Sequence, residues 1–241
     1  MSGDERRLSA VPGWLWALLT MSLALQVSWQ SVRAPGAGAS ADLPPAPRPE
    51  ALRLAALGEP EAAARLVMLH LQSFDLGGAN ALPYQHLDYA RLAGWLGAIL
   101  ALDPRSHYPL FSAARLYAEV PDPARSRIML EFIYREFLRD PNRRWPWLAH
   151  AALLAKHRLG DLPLALRYAA AIDERTTARD VPLWARQMRI FILEDMNELE
   201  AAKIMLGGLL ASGAIRDPAE ARFLKQRMDE LEAKSKAGRV K

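Results

Sequence analysis

Five histidines, His70, His86, His107, His150 and His157, are the side chains of this chain best suited to metal binding or proton transfer. None stands in a His-Glu-x-x-His or Glu-x-x-His arrangement, which would set two ligands on one helix face. His150 and His157 are seven residues apart, about two turns and roughly 10 Å of helix, too far to share one ion. No metal site and no cofactor are expected. With no cysteine in 241 residues, thiolate metal sites, disulfides, a lipid-modified cysteine and covalently attached haem are excluded. The stretch Asp75-Leu76-Gly77-Gly78-Ala79-Asn80 has the glycines of a phosphate-cradling loop but not its Lys and Ser or Thr. It reads as a helix-ending turn within a loop over 74–83. No Gly-x-Ser-x-Gly elbow occurs, and Ser106-His107 reads as the first turn of a helix. Three glutamates, Glu119, Glu136 and Glu194, are the candidates for the acid of a glycan-cleaving enzyme, a role that needs a carboxyl of raised pKa in a closed cleft. No catalytic set assembles from these residues, and the expectation is a binding protein rather than an enzyme.

Charge offers a second kind of chemistry. Arg125, Arg127, Arg135, Arg139, Arg143 and Arg144 cluster, but Glu131, Glu136 and Asp140 are interleaved. That pattern predicts a salt-laced helix exterior rather than a nucleic-acid stripe. The net charge of +4 is mild, compatible with an acidic partner. Lys234, Lys236, Arg239 and Lys241 belong to a basic tail, taken as residues 236–241 beyond the last helix.

The elements that must position these residues begin with an apolar leader. After a tail over residues 1–10, residues 11–32 carry no charge and place Trp14, Trp16 and Trp29 near the two ends. At about 1.5 Å per residue the segment reaches roughly 33 Å, the thickness of a hydrocarbon core. A retained single-pass anchor is expected. A cleavable export signal competes, because Thr20, Ser22, Gln26, Ser28 and Gln30 confine the densest apolar run to Trp14–Leu25. Against it, Ala37-Gly38-Ala39 lies far beyond that run with Arg33 between, and Val32-Arg33-Ala34 is followed by Pro35. Arg6 and Arg7 before the segment balance Arg33 and Arg48 after it. A short amino-terminal tail normally stays in the cytoplasm, so the expected location is the inner (cytoplasmic) membrane with the remaining domain in the periplasm. Residues 33–47, rich in Pro, Ala and Gly, read as a linker.

From residue 48 onward, apolar residues recur with helical period and strand alternation is nearly absent, which predicts an all-α domain. Helices are expected over 48–57, 60–73, 84–102, 105–118, 123–139, 146–158, 162–173, 182–194 and 198–211, with a capping helix over 217–235 that starts near Pro218. Asp103-Pro104, Asp122-Pro123 and Asp217-Pro218 each set a capping carboxylate before a proline at the first helical position. Glu220 would complete a capping box in the last. One helix carries its stripe at Met129, Leu130, Ile133, Tyr134 and Phe137, with Glu131 and Arg135 paired beside it. Another uses Leu199, Ala202, Leu206 and Leu209. The turns Val120-Pro121-Asp122, Leu159-Gly160-Asp161 and Asp195-Met196-Asn197 are short enough to force antiparallel hairpins. Trp145-Pro146-Trp147 and Val181-Pro182-Leu183-Trp184 read as helix starts whose indoles fill gaps between hairpins.

The turns also repeat. Pro121, Gly160 and Met196 stand 39 and 36 residues apart, and Gly58 in Leu57-Gly58-Glu59-Pro60 heads a similar turn, the period of a helical hairpin array. Leu159-Gly160-Asp161 with Ala165, Leu166 and Tyr168, and Ala98-Ile99-Leu100-Ala101-Leu102-Asp103-Pro104, resemble the turn and the ending of tetratricopeptide repeats. The likeness spans roughly 48–212 and is degenerate, with Ala169 where a bulky residue is commoner. It implies a right-handed solenoid over 48–216 whose first helices line a wall that holds another polypeptide. Carried over from the Gly160 turn, that wall comprises Trp147, His150, Leu154, His157 and Arg158. The preceding unit adds Tyr108, Phe111 and Arg115, and the following one Arg186 and Ile190. An aromatic and basic wall suits an acidic or carboxylate-ended peptide. The expected function is a membrane-anchored scaffold or assembly factor for an envelope complex. The alternatives are the glycan-cleaving enzyme and a purely structural oligomer.

Overall fold

The computed structural model describes residues 12–32, 43–76, 84–212, 215 and 217–238. Among these the protein is all helical and contains no strand. The helices are α1 (Gly13–Val32), α2 (Pro49–Ala55), α3 (Pro60–Leu76), α4 (Tyr89–Leu102), α5 (Tyr108–Arg115), α6 (Pro123–Arg139), α7 (Pro141–His157), α8 (Leu162–Arg175), α9 (Leu183–Asp195), α10 (Leu199–Ala211) and α11 (Pro218–Gly238). Single 3-10 turns occupy Tyr84–His86 and Tyr117–Glu119. The chain divides into two units, Met1–Ala41 with Gly78–Asn80, and Asp42–Gly77 with Ala81–Lys241. The amino-terminal tail, the linker up to residue 42 and the glycines of the 74–83 loop lie outside the described residues, as do positions 239–241 of the basic tail.

In the first unit, α1 is a 20-residue helix that exposes its large side chains, Trp14 at 65% and Leu25 at 65% among them. The transmembrane anchor expected here is not supported, because no helix among the described residues is long and apolar enough to cross a membrane. The physical reason lies in the six polar residues, Thr20, Ser22, Gln26, Ser28, Gln30 and Ser31, that interrupt the run. Thr20, for example, turns its hydroxyl back to donate to the Trp16 carbonyl at 2.9 Å.

In the second unit each helix packs on its chain neighbours, α7 on α8 most extensively. Both helices bury alanines: Ala149, Ala152 and Ala155 of α7 and Ala165 and Ala169 of α8 are 0–3% exposed. Small side chains let two backbones approach closely, and dispersion contacts grow steeply at short range. Ala169 thus departs from the repeat pattern without leaving a gap. Gly160, at φ 63°, and Asn197, at φ 62°, close the α7–α8 and α9–α10 turns in the left-handed region that glycine and asparagine tolerate. Asp122 caps α6 by accepting from the amides of Ala124 at 2.9 Å and Arg125 at 3.2 Å, and Asp161 caps α8 through the Leu164 amide at 2.9 Å.

Several expected details differ. Asp103 accepts from the Arg105 and Ser106 amides at 3.1 Å, but this side-chain turn closes α4 instead of opening a helix, and α5 starts only at Tyr108. The helix expected from residue 146 starts at Pro141 and carries Pro146 inside it. Asp217 caps α11 through the Ala219 amide at 2.8 Å, whereas the Glu220 carboxylate accepts from Gln187 of α9 at 2.9 Å instead of completing a capping box. Glu131 pairs with Arg167 of α8 rather than with Arg135. The last residues of the expected linker are packed: Leu43 is fully buried, and the Leu43 and Pro44 carbonyls accept from Arg91 and from the Trp95 indole, both at 2.8 Å. This strap lies so close to α4 that a Cβ on Gly94 would stand 3.3 Å from the Ala46 methyl.

The arginine cluster is not wholly a solvated exterior. Arg144 and Glu136 are 5% and 4% exposed and pair at 2.8 Å, while a second guanidinium nitrogen of Arg144 donates to the Pro104 carbonyl at 3.1 Å. Removing one partner of a buried pair strands the other charge, so Glu136→Ala should cost about 3 to 5 kcal/mol. The exposed Arg139, which also reaches Glu136 at 2.5 Å, should cost under about 1 kcal/mol on replacement by Ala. Urea unfolding of the two variants measures the difference.

Candidate functional site

The amino-terminal turns of α5 and α7 bring three aromatic rings together on one side of the helical stack. Tyr108 stacks on Phe111 with centroids 6.1 Å apart, and Phe111 meets Trp147 edge to face at 5.9 Å. The Trp147 indole donates to His107 Nδ1 at 3.3 Å, which holds it against the turn before α5. Tyr108 and Phe111 remain 47% and 45% exposed. From α3, the Gln72 amide donates to the Tyr108 hydroxyl at 2.6 Å. Below that bond lies an open cavity of about 380 Å³, walled by Ala64, Met68 and Leu69 of α3, Ile99 of α4, and Tyr108 and Pro109 of α5. Leu66 and Leu69 of α3 are 67% and 62% exposed. An apolar surface of this kind, beside a cavity and partly aromatic, is the type that partners cover.

One turn further along α5, Arg115 approaches Glu119 at 3.8 Å and His150 Nε2 lies 3.3 Å from the same carboxylate. Burial pushes the His150 pKa below its ordinary value, and the nearby Arg115 charge pushes it the same way against the Glu119 hydrogen bond. Arg65, on the cavity wall, is exposed. Each positive charge here has an acidic neighbour, Asp103 on the cavity wall with Arg65 and Glu119 paired with Arg115.

The other expected wall residues have different fates. Leu154 is half-buried against the core, and His157 and Arg158 are exposed at the carboxyl-terminal end of α7. Arg186 donates to the Ala178 carbonyl at 3.0 Å. Ile190 is 4% exposed and belongs to a second apolar cluster with Leu193, Leu206 and Leu224, apart from the aromatic rings of α5 and α7. Trp145 packs against the core and meets Trp184 at 5.5 Å, but Trp184 is 52% exposed and does not fill a gap between hairpins as expected. The α3 contribution was missed. Its signal was the run Leu66-Val67-Met68-Leu69, more apolar surface than one buried stripe requires.

The three glutamates weighed for glycan cleavage are engaged by basic side chains. Glu119 has Arg115 and His150, and Glu136 has Arg139 and Arg144. Glu194 has Arg227 at 2.7 Å and Lys234 at 2.6 Å. Among the described residues no group of three or more His, Asp or Glu side chains converges to hold a metal ion.

The depressed pKa of His150 has a sign that can be tested. The unfolded chain binds this proton more tightly than the folded one, so stability is fully present above the ordinary value of 6.5 and falls as pH drops below it. His150→Gln should flatten the loss of stability between neutral and mildly acidic pH, read by urea titrations at several pH values. Comparison with protein-family models, with curated proteins and with solved structures gives no match to this chain.

Proposed function

We propose that this protein is a tetratricopeptide-like interaction module, a right-handed array of helical hairpins that holds a segment of another polypeptide on the face formed by α3, α5 and α7. The single observation that carries this reading is the Tyr108–Phe111–Trp147 cluster, with Tyr108 and Phe111 exposed, beside a mainly apolar cavity that Arg65 and Asp103 also line. Aromatic rings give large contact area at small entropic cost, and Arg65 and Arg115 supply charge for an acidic or carboxylate-ended segment. Such a module works as a scaffold or assembly factor. Its place at the cell envelope, with the helical domain on the periplasmic side of the cytoplasmic membrane, is part of the same proposal and rests on α1 alone. The exposed tryptophans and leucines of α1 call for apolar surroundings, which lipid or an apolar partner surface would supply.

A photo-crosslinking side chain placed at Phe111 or at Tyr108 in the full chain, in intact cells, should capture one and the same polypeptide. The same probe at the exposed Leu138 of α6 should not capture it. An acidic peptide bearing one apolar residue should compete for the capture. Phe111→Ala should weaken binding by about tenfold or more, as loss of an aromatic anchor does, with little change in melting temperature. Capture at background level from both groove positions would refute the proposal.

A further inference from the structure

A second cavity, of about 290 Å³, opens between α8, α9 and α10, away from the aromatic cluster and independent of it. Its apolar walls are Leu183 and Ile190 of α9 and Met205 and Leu209 of α10. Two opposite charges also line it, Asp173 near the end of α8 and Arg186 on α9. They act on each other electrostatically but form no ion pair. Arg186 spends one nitrogen on the Ala178 carbonyl at 3.0 Å, and Asp173 pairs instead with Arg189 at 3.8 Å, a guanidinium it shares with Glu174 at 3.1 Å. Burial pushes the Asp173 carboxyl above its ordinary pKa, so a cation brought to this wall gains from the desolvated setting.

Gly208 lines the cavity at its exposed rim. A glycine inside a helix costs up to about 1 kcal/mol relative to alanine, and at the adjacent Gly207 an added Cβ would come into ordinary contact with the Met228 methyl at 3.4 Å. At Gly208 an added Cβ would meet nothing within 4 Å, and the residue lines the cavity. The helix gives up stability there and gains only open volume.

We propose that this cavity binds a small zwitterion with an apolar body, an aliphatic α-amino acid. Its carboxylate would meet Arg186, its ammonium Asp173, and its side chain the walls of Leu183, Ile190, Met205 and Leu209. The volume lies near the lower end of ligand pockets, about 300 Å³, which suits one amino acid and not a length of polypeptide. A plain carboxylate would satisfy Arg186 but face Asp173, and a plain amine would satisfy Asp173 but face Arg186. Only a ligand carrying both charges answers both walls.

Calorimetry and thermal shift on the full chain should show saturable binding of L-leucine. Isocaproate and isoamylamine, which each lack one charge, should bind at least about tenfold more weakly. Arg186→Gln and Asp173→Asn should each weaken leucine by about tenfold or more. Gly208→Ala should raise the melting temperature without ligand, and Gly208→Leu should remove the response. Should Gly208→Leu not fold, the two charge variants decide. Absence of a leucine response at millimolar concentration, equal responses to all three compounds, or a leucine response unchanged in Arg186→Gln or Asp173→Asn would overturn the proposal.

Discussion

The guanidinium of Arg144 ties three parts of the chain together. It pairs with the Glu136 carboxylate at 2.8 Å while only 5% exposed. It also donates to the Glu136 carbonyl at 2.8 Å and to the Pro104 carbonyl at 3.1 Å. The first contacts lock the corner between α6 and α7, and the last joins that corner to the turn ahead of α5. The aromatic patch depends on this joint, because Tyr108 and Phe111 ride on α5 and Trp147 rides on α7. A planar fork with several donors can serve three acceptors at fixed angles, which a lysine could not.

Beyond that joint, stability is distributed between neighbours. One apolar cluster runs from Leu43 to Ile192, and a smaller one joins the end of α9 to α10 and α11. Helices with a single apolar stripe have no other way to hide it than on the next helix along the chain. The packing of α7 on α8, two helices that both bury alanines, is the most extensive expression of that rule. The two cavities lie where the rule relaxes: one beside α3, whose apolar surface exceeds what α4 covers, and one beside Gly208, where a helix surface recedes.

Much of this was legible in the sequence, for physical reasons. The 3.6-residue period and the Asp-Pro pairs mark helices because capping and proline geometry are local, and α6, α8 and α10 lie close to where those signals put them. The all-α class follows from the same period. What failed was non-local. Arg144 and Glu136 look like members of a surface charge pattern until α7 folds onto α6. Glu220 has a capping-box spacing, yet Gln187 offers it a tertiary partner. Pro146 marks a helix start by local rules, yet α7 begins at Pro141 and runs through it. In the candidate groove, Tyr108, Phe111 and Trp147 were found from their helix positions, whereas Gln72 and Leu69 come from a helix whose proximity to α5 no spacing reveals. Ile190 joins the second cluster instead of the aromatic face, because that cluster forms only once α10 and α11 pack on the end of α9.

The strap over residues 43–48 has a mechanical consequence. Its backbone is gripped at two successive carbonyls by side chains of α4, with Leu43 inserted fully into the interior. Tension applied through the leader therefore reaches α4 before any other helix of the stack. Arg91 and Trp95 act as a cleat, and the hairpins beyond them are shielded from a pull that would otherwise peel the array open from its first turn.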